Sequence, residues 1–145
     1  MKNIIWLILI VLVPGASSAQ SQRIDYGKMD TSAVEVSIVQ LICNPTQYDL
    51  KKVKVTGVYL IDSEASYLFL TQEHFKVYDL ANSVELGLTR ELLPEKPQTL
   101  TQLNGYTVAI EGVVHATGGV GGRPAIFPIT RLLVKGSEKV ITPKQ

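Results

Sequence analysis

From Val53 the chain alternates with period two: Val53, Val55, Gly57, Tyr59 and Ile61 share one face, and Lys54, Thr56, Val58 and Leu60 share the other. Successive side chains of a strand point to opposite sides, so apolar residues in both sets predict a strand covered on both faces. A glycine in mid-strand weakens a flat sheet, and Gly57 therefore predicts a bulge or a sharp coil where the strand bends round a small barrel. The turn-forming run Asp62 to Ala65 leads into Tyr67 to Thr71, a second strand paired as a hairpin. Residues 72–82 lose the alternation and predict a short helical or irregular excursion before a third strand near Ser83 to Leu88. Pro94 and Pro97 exclude a long helix beyond it and leave room for a turn or so at Thr89 to Leu93 and at Leu100 to Leu103. Asn104 and Gly105 supply a turn with positive φ. Alternation returns from Tyr106 to Ala116, again with a glycine, Gly112, in the middle. The last strand is expected over Ala125 to Val134, where Pro128 signals an edge or a bulge.

Upstream of these strands the signals are those of a helix start. Ser37 can accept from free backbone amides, Gln40 three residues on can return the bond, and Val36 can pack on Leu41 as a staple. Asn44 precedes Pro45 and is pushed out of the helical region, which ends the helix there. Cys43 lies in its last turn beside Ile42, with no histidine or cation adjacent in sequence, and reads as a small buried hydrophobe. Residues 20–33 mix polar and small types without period and read as a flexible lead-in to a domain over residues 34–136, with a flexible tail over 137–145. Residues 1–19 lay out a secretory signal peptide: Lys2, an unbroken apolar run from Ile4 to Val13, then small residues up to a cleavage point after Ala19. The run is too short to cross a bilayer as a helix, which takes about 20 residues. The expectation is an exported protein, periplasmic or extracellular, with no stable membrane span in the mature chain.

Five strands, a short N-terminal helix, a helical segment between the third and fourth strands, and glycines where strands must coil describe a mainly β chain. They match a five-stranded, OB-fold-like Greek-key barrel. The stretch Val36 to Gly57 (VSIVQLICNPTQYDLKKVKVTG), followed by Tyr67 to Leu70 (YLFL) and Asn104 to Gly112 (NGYTVAIEG), also resembles a family of small uncharacterised bacterial exported proteins with OB-like barrels. The likeness covers roughly residues 36 to 133 and is most specific in the segment from Gln40 to Tyr48 that leads into the first long strand. One departure is Leu50, where related sequences tend to carry a glycine. The resemblance implies the barrel and brings no activity to any residue.

Composition narrows the chemistry. Loss of the leader removes Lys2, one of 14 Lys and Arg set against 13 Asp and Glu, so the mature charges balance. Proteins that bind nucleic acid mainly through phosphates carry a basic excess or stripe. Here the cluster Lys51, Lys52 and Lys54 reads as a solvated turn and strand face, which argues against nucleic acid as a partner. One cysteine cannot form an internal disulfide, so a packed core must hold the fold. His74 and His115 lack partners at a zinc spacing, and neither a metal nor a cofactor is expected. His115 could pair with Glu111 on one strand face, and a hydrolase built on Glu111, His115 or Asp62 is the weakest of three readings. No serine lies in a nucleophile-elbow pattern. The glycine-rich run Gly118 to Gly122 lacks the ending of a phosphate-binding loop and reads as a mobile hairpin tip. In OB-folds that loop frames the ligand face, so Arg123 at its base is a candidate for an anionic group. Tyr67 and Phe69 share a face and could stack on a ligand, or they could point into the barrel with Leu68 and Leu70 outside. The expected function is a non-enzymatic binding or interaction module of the cell envelope, contacting an envelope protein or a small ligand. The alternative is single-stranded nucleic acid or oligosaccharide binding by the barrel face. The oligomeric state is not legible from the sequence.

Overall fold

The computed structural model describes residues 25–27, 31–63, 65–87 and 98–135. The expected leader (1–19), the helical turn at 89–93 and the tail (137–145) lie outside the described residues. Within them the elements are β1 (Asp25–Gly27), β2 (Val34–Glu35), α1 (Ile38–Cys43), β3 (Lys52–Ile61), β4 (Ser66–Phe69), α2 (Gln72–Lys76), β5 (Ser83–Leu86), α3 (Gln98–Thr101), β6 (Thr107–His115) and β7 (Ala125–Val134).

Five of the strands close on themselves. β3 pairs antiparallel with both β4 and β6, β4 with β5, and β6 with β7. The parallel pair β5–β7, through Glu85 opposite Ala125 and Leu86 opposite Ile126, completes the ring. This strand order is that of an OB-fold-like barrel, and closure removes the open edges that would invite aggregation. The inward set follows the predicted period: Val53, Val55 and Tyr59 on β3, Leu68 on β4, Val84 and Leu86 on β5, and Val108, Ile110 and Val114 on β6.

β7 departs from period two, since Ile126, Ile129 and Leu132 all face inward. The register explains it. Glu111 lies opposite Arg131, Gly112 opposite Ile129 and Val114 opposite Ile126, so β7 holds an extra residue on each side of Ile129. Each extra residue flips the alternation. Gly112 stands at the crowded point, where a Cβ would lie 2.6 Å from Ile126 Cγ2 and 2.7 Å from the Pro128 carbonyl. Pro128 sits in one of the two bulges, as its sequence position suggested. Gly57 behaves differently. β3 runs against β6 with no register shift from Lys52 to Val58, and the glycine is required because a Cβ would come within 2.6 Å of both Ile38 Cδ1 and the Phe69 carbonyl.

α1 begins where the capping signals put it. Ser37 Oγ accepts from Gln40 N at 3.2 Å, and Gln40 Oε1 accepts from Ser37 N at 2.9 Å. Ile38 and Leu41 enter the barrel core, and Val36 is buried beside them. Cys43 is exposed, contrary to the buried position expected. Two residues beyond Leu41 is about 200° round a helix, which carries Cys43 away from the core. On the Ile61 side of β3, Leu100 and Leu103 are buried around α3. There the Asn104 side chain acts as one more strand residue, Oδ1 accepting from Ile61 N at 2.8 Å and Nδ2 donating to Ile61 O at 2.9 Å. Gly105 follows with φ +82°.

The lead-in needs correction. Residues 25–27 form β1, antiparallel to β7 with Asp25 opposite Leu133 and Gly27 opposite Arg131. The cause is electrostatic. Arg131 donates through Nε to Asp25 Oδ1 (2.8 Å) and through Nη2 to Asp25 Oδ2 (2.7 Å), while its Nη1 donates to Glu111 Oε1 (3.0 Å). A three-residue strand held this way has no periodic signature.

Leu50 adopts φ +57° with its side chain exposed, and its N–H donates to the Val114 carbonyl at 2.8 Å. A left-handed conformation costs a side-chain-bearing residue roughly 1–2 kcal/mol, while glycine loses about 0.5–1 kcal/mol to unfolded-state entropy. Leu50→Gly should therefore stabilise the fold by roughly 0.5–1 kcal/mol. Urea unfolding should show a higher midpoint at unchanged slope.

Candidate binding face

Residues opposite one another in neighbouring strands share a face. One row crosses the outside of all five barrel strands: Leu60 pairs with Tyr67, Tyr67 with Glu85, Glu85 with Ala125, and Ala125 with His115. A parallel row holds Val58, Phe69 and Ser83. OB-folds place ligands on this side, between the loop joining their first two strands and the loop joining their last two. Here those loops are residues 62–65 and 116–124.

Tyr67 and Phe69 lie on this outer face, since Leu68 between them points into the barrel. That reverses the expected alternative of rings inside and leucines outside. The rings are not an open platform either, because Phe69 is 0% and Tyr67 7% exposed. The excursion after β4 folds back over them. Thr71 caps α2, Phe75 meets Phe69 edge-on at 6.1 Å between ring centroids, and Tyr78 meets Tyr67 edge-on at 6.0 Å and Phe69 at 5.9 Å. Tyr78 has φ +53°, a left-handed conformation that costs a residue of its size energy, and remains 47% exposed. Its hydroxyl donates to Asp62 Oδ2 at 2.9 Å, so the chain carries its own lid over the ring-bearing part of the face. Partial burial of that hydroxyl, and then the Asp62 carboxylate beside it, push the Tyr78 pKa up to about 12.

Arg123 is engaged by the protein itself. Its Nε donates to the Val120 carbonyl at 3.0 Å and its Nη1 to the Leu80 carbonyl at 3.1 Å. These bonds tie the 117–124 loop to the excursion over β4. Val120 N donates to Glu85 Oε2 at 2.7 Å, and Gly119 N to the Arg123 carbonyl at 2.9 Å. The expected mobile tip is therefore a loop folded down on β5, and Arg123 positions it.

The sequence pair His115 and Glu111 does not form. Glu111 is buried against Arg131, and His115 Nε2 lies 2.7 Å from the Phe127 carbonyl, to which it must donate because a carbonyl only accepts. Asp62 serves the turn and the lid, accepting from Ala65 N at 2.9 Å as well as from Tyr78. Among the described residues no three His, Cys, Asp or Glu side chains gather as metal ligands, and no helix is long and apolar enough to cross a membrane.

Two exposed apolar groups beside the uncovered part of the face were missed by sequence reasoning. Phe127 is 50% and Val120 66% exposed. The Phe127 ring lies 6.1 Å from that of His115 and packs where a side chain on Gly87 would stand. Alternation from Ile126 puts Phe127 outside but does not say that the ring is left uncovered; the residue it misplaces is Ile129, between the two bulges. Glu85, which holds the loop, carried no motif.

No protein-family model matches the chain, and no curated protein does. Among solved structures, asparaginyl-tRNA synthetase from Pyrococcus horikoshii is 19% identical over 61% of this chain and 20% of its own, with a TM-score of 0.39. A Leishmania major Friedlin protein described as an aspartyl-tRNA synthetase is 11% identical over 77% of this chain and 23% of its own, with a TM-score of 0.42. The chain thus spans about a fifth of the length of these proteins. Its fold is established by its own strand order.

Proposed function

We propose that this chain is an exported, non-enzymatic binding module that holds a protein partner of the cell envelope against its barrel face, around Phe127 and the 117–124 loop. The observation that carries this reading is the exposure of Phe127 and Val120 on the part of the face that the chain's own lid leaves open. Exposed aromatic and aliphatic side chains bordered by polar groups, here His115 and Glu85, have the make-up of an interaction surface. The balance of charge in the mature chain and the resemblance to small exported proteins agree with it.

The test is Phe127→Ser combined with Val120→Ser. Both side chains stand outside the core, so circular dichroism should be unchanged. Capture of a crosslinked partner from the envelope fraction of the host should fall by about 30-fold or more, the loss expected when a central aromatic anchor is removed. Equal capture by wild type and variant would refute the surface.

A second reading, single-stranded nucleic acid or oligosaccharide binding by the same face, is favoured by the OB-like barrel and by the exposed Phe127 ring, which could stack on a base or sugar. Binding to oligonucleotides that weakens steeply with salt would select nucleic acid, and salt-insensitive binding to glycans would select sugar.

A further inference from the structure

The lid over Tyr67 and Phe69 is built unlike a piece of core. Val77 and Tyr78 are 75% and 47% exposed, so the segment keeps two large apolar side chains in water. Tyr78 takes left-handed backbone geometry without being glycine, and its ring stands nearly perpendicular to that of Tyr67 and tilted by 54° to that of Phe69. The hydroxyl is held by one carboxylate in the 62–65 turn. Beneath it the rings of Tyr67 and Phe69, with Val58 and Leu60, form an apolar floor outside the barrel. The barrel core, by contrast, is complete without Tyr78.

The charges of this region are mostly negative. Asp62 lies in the turn under the hydroxyl, and Glu73 and Asp79 are on the lid segment. Asp79 accepts from Ala81 N and Asn82 Nδ2, and His74 Nε2 stands 4.0 Å from it. Lys76 is on the lid as well, Arg123 reaches the Leu80 carbonyl at its far end, and Glu85 is next to Tyr67 across β4 and β5.

We propose that Tyr78 is a self-ligand: it occupies a ring slot on Tyr67 and Phe69 that an aromatic side chain of a partner peptide, flanked by Lys or Arg, takes when the 71–82 segment moves aside. The incoming ring replaces the Tyr78 ring on the same floor. A phenol on that ring replaces the Tyr78 hydroxyl on Asp62, and basic neighbours meet Asp62 and Glu85, which stay in place when the segment moves. The mainly acidic surroundings disfavour a phosphate backbone in this slot. This goes beyond the surface at Phe127 and stands or falls separately from it.

Competition between the internal and external ring sets the expected result. The observed affinity is the intrinsic affinity multiplied by the fraction of molecules whose slot is open, so weakening the lid raises it. The probe is a fluorescein-labelled peptide with a central tyrosine between two lysines, titrated by anisotropy against the whole protein. Tyr78→Phe keeps the ring and removes the bond to Asp62, and it should tighten binding by about tenfold. Tyr78→Gly removes the ring and suits the backbone, and it should bind at least as tightly as Tyr78→Phe. A control peptide with alanine in place of tyrosine should not bind, and one with aspartates in place of the lysines should bind at least tenfold more weakly. Equal affinity of wild type and Tyr78→Phe would overturn the proposal, whether or not Tyr78→Gly folds. Binding of the alanine peptide, or tighter binding of a single-stranded oligonucleotide than of the tyrosine peptide, would overturn it as well. Phe127→Ser should leave the peptide affinity unchanged, which separates failure here from failure of the open surface.

Discussion

Phe69→Ala should destabilise the protein by about 3–5 kcal/mol, the usual cost of emptying a fully buried phenylalanine site. Global stability is typically about 5–15 kcal/mol, so much of the population would unfold at modest denaturant. The expectation rests on position: Phe69 is on the outer face of β4, yet fully buried between Tyr67, Phe75 and Tyr78. A ring that only served a ligand would leave the urea midpoint where it is, and such a result would show that the lid does not cover it in solution. Near-ultraviolet dichroism offers a second check, because loss of Phe69 should disturb the signal of the neighbouring tyrosines even where the variant stays folded.

Arg131→Ala is the other substitution with a large expected effect, again about 3–5 kcal/mol, because it leaves the buried Glu111 carboxylate without its guanidinium. The Arg131 and Glu111 side chains are 7% and 5% exposed, so water cannot readily take over. The two hydrogen bonds to Asp25, together with that carboxylate, raise the Arg131 pKa, and the guanidinium stays charged throughout. Replacing the buried pair with apolar residues, Arg131→Met with Glu111→Leu, should recover the part of the loss that comes from the stranded Glu111 carboxylate, while the bonds to Asp25 stay lost, since a buried ion pair is often no more stable than a well-packed apolar substitute. Denaturant midpoints of the single and double variants decide the matter. A single variant as stable as wild type would mean that β1 and the triad contribute nothing to the fold.

Much of the barrel was legible in the sequence because burial imposes period two on β3 and β6, and Gly112 and Pro128 mark the place where the β6–β7 register breaks, whereas Gly57 marks a close approach and no break. The capping box at Ser37 and Gln40 was legible because it is a local device confined to four residues. What could not be read were features settled by distant parts of the chain. β1 exists because Asp25 finds Arg131, and no local pattern announces such a pairing. Cys43 was misplaced because α1 is too short for periodicity to fix its buried stripe. At the candidate face, Tyr67 and Phe69 were correctly paired on one side of their strand. Their cover came from residues 71–82, whose polar, irregular sequence gives no sign that Phe75 and Tyr78 fold back on the hairpin. Arg123 was found at the base of the right loop, but its donors are taken by the Val120 and Leu80 carbonyls. Phe127 escaped notice because alternation that puts a ring outside does not say whether anything covers it.

The position of β7 in the sheet also bears on synthesis. This strand, Ala125–Val134, is the partner of β1, β5 and β6, so β1 has no partner, and β5 and β6 each lack one of their two, until the last part of the described chain has left the ribosome. Asp25 and Arg131 are 106 residues apart, and a growing chain carries the first for most of its elongation time before the second exists. Translation that stops before Arg131 leaves open strand edges and a carboxylate, Glu111, awaiting its cation. The barrel is thus completed only after its final strand has been made, and truncated products should be substrates for proteolysis rather than partly folded domains.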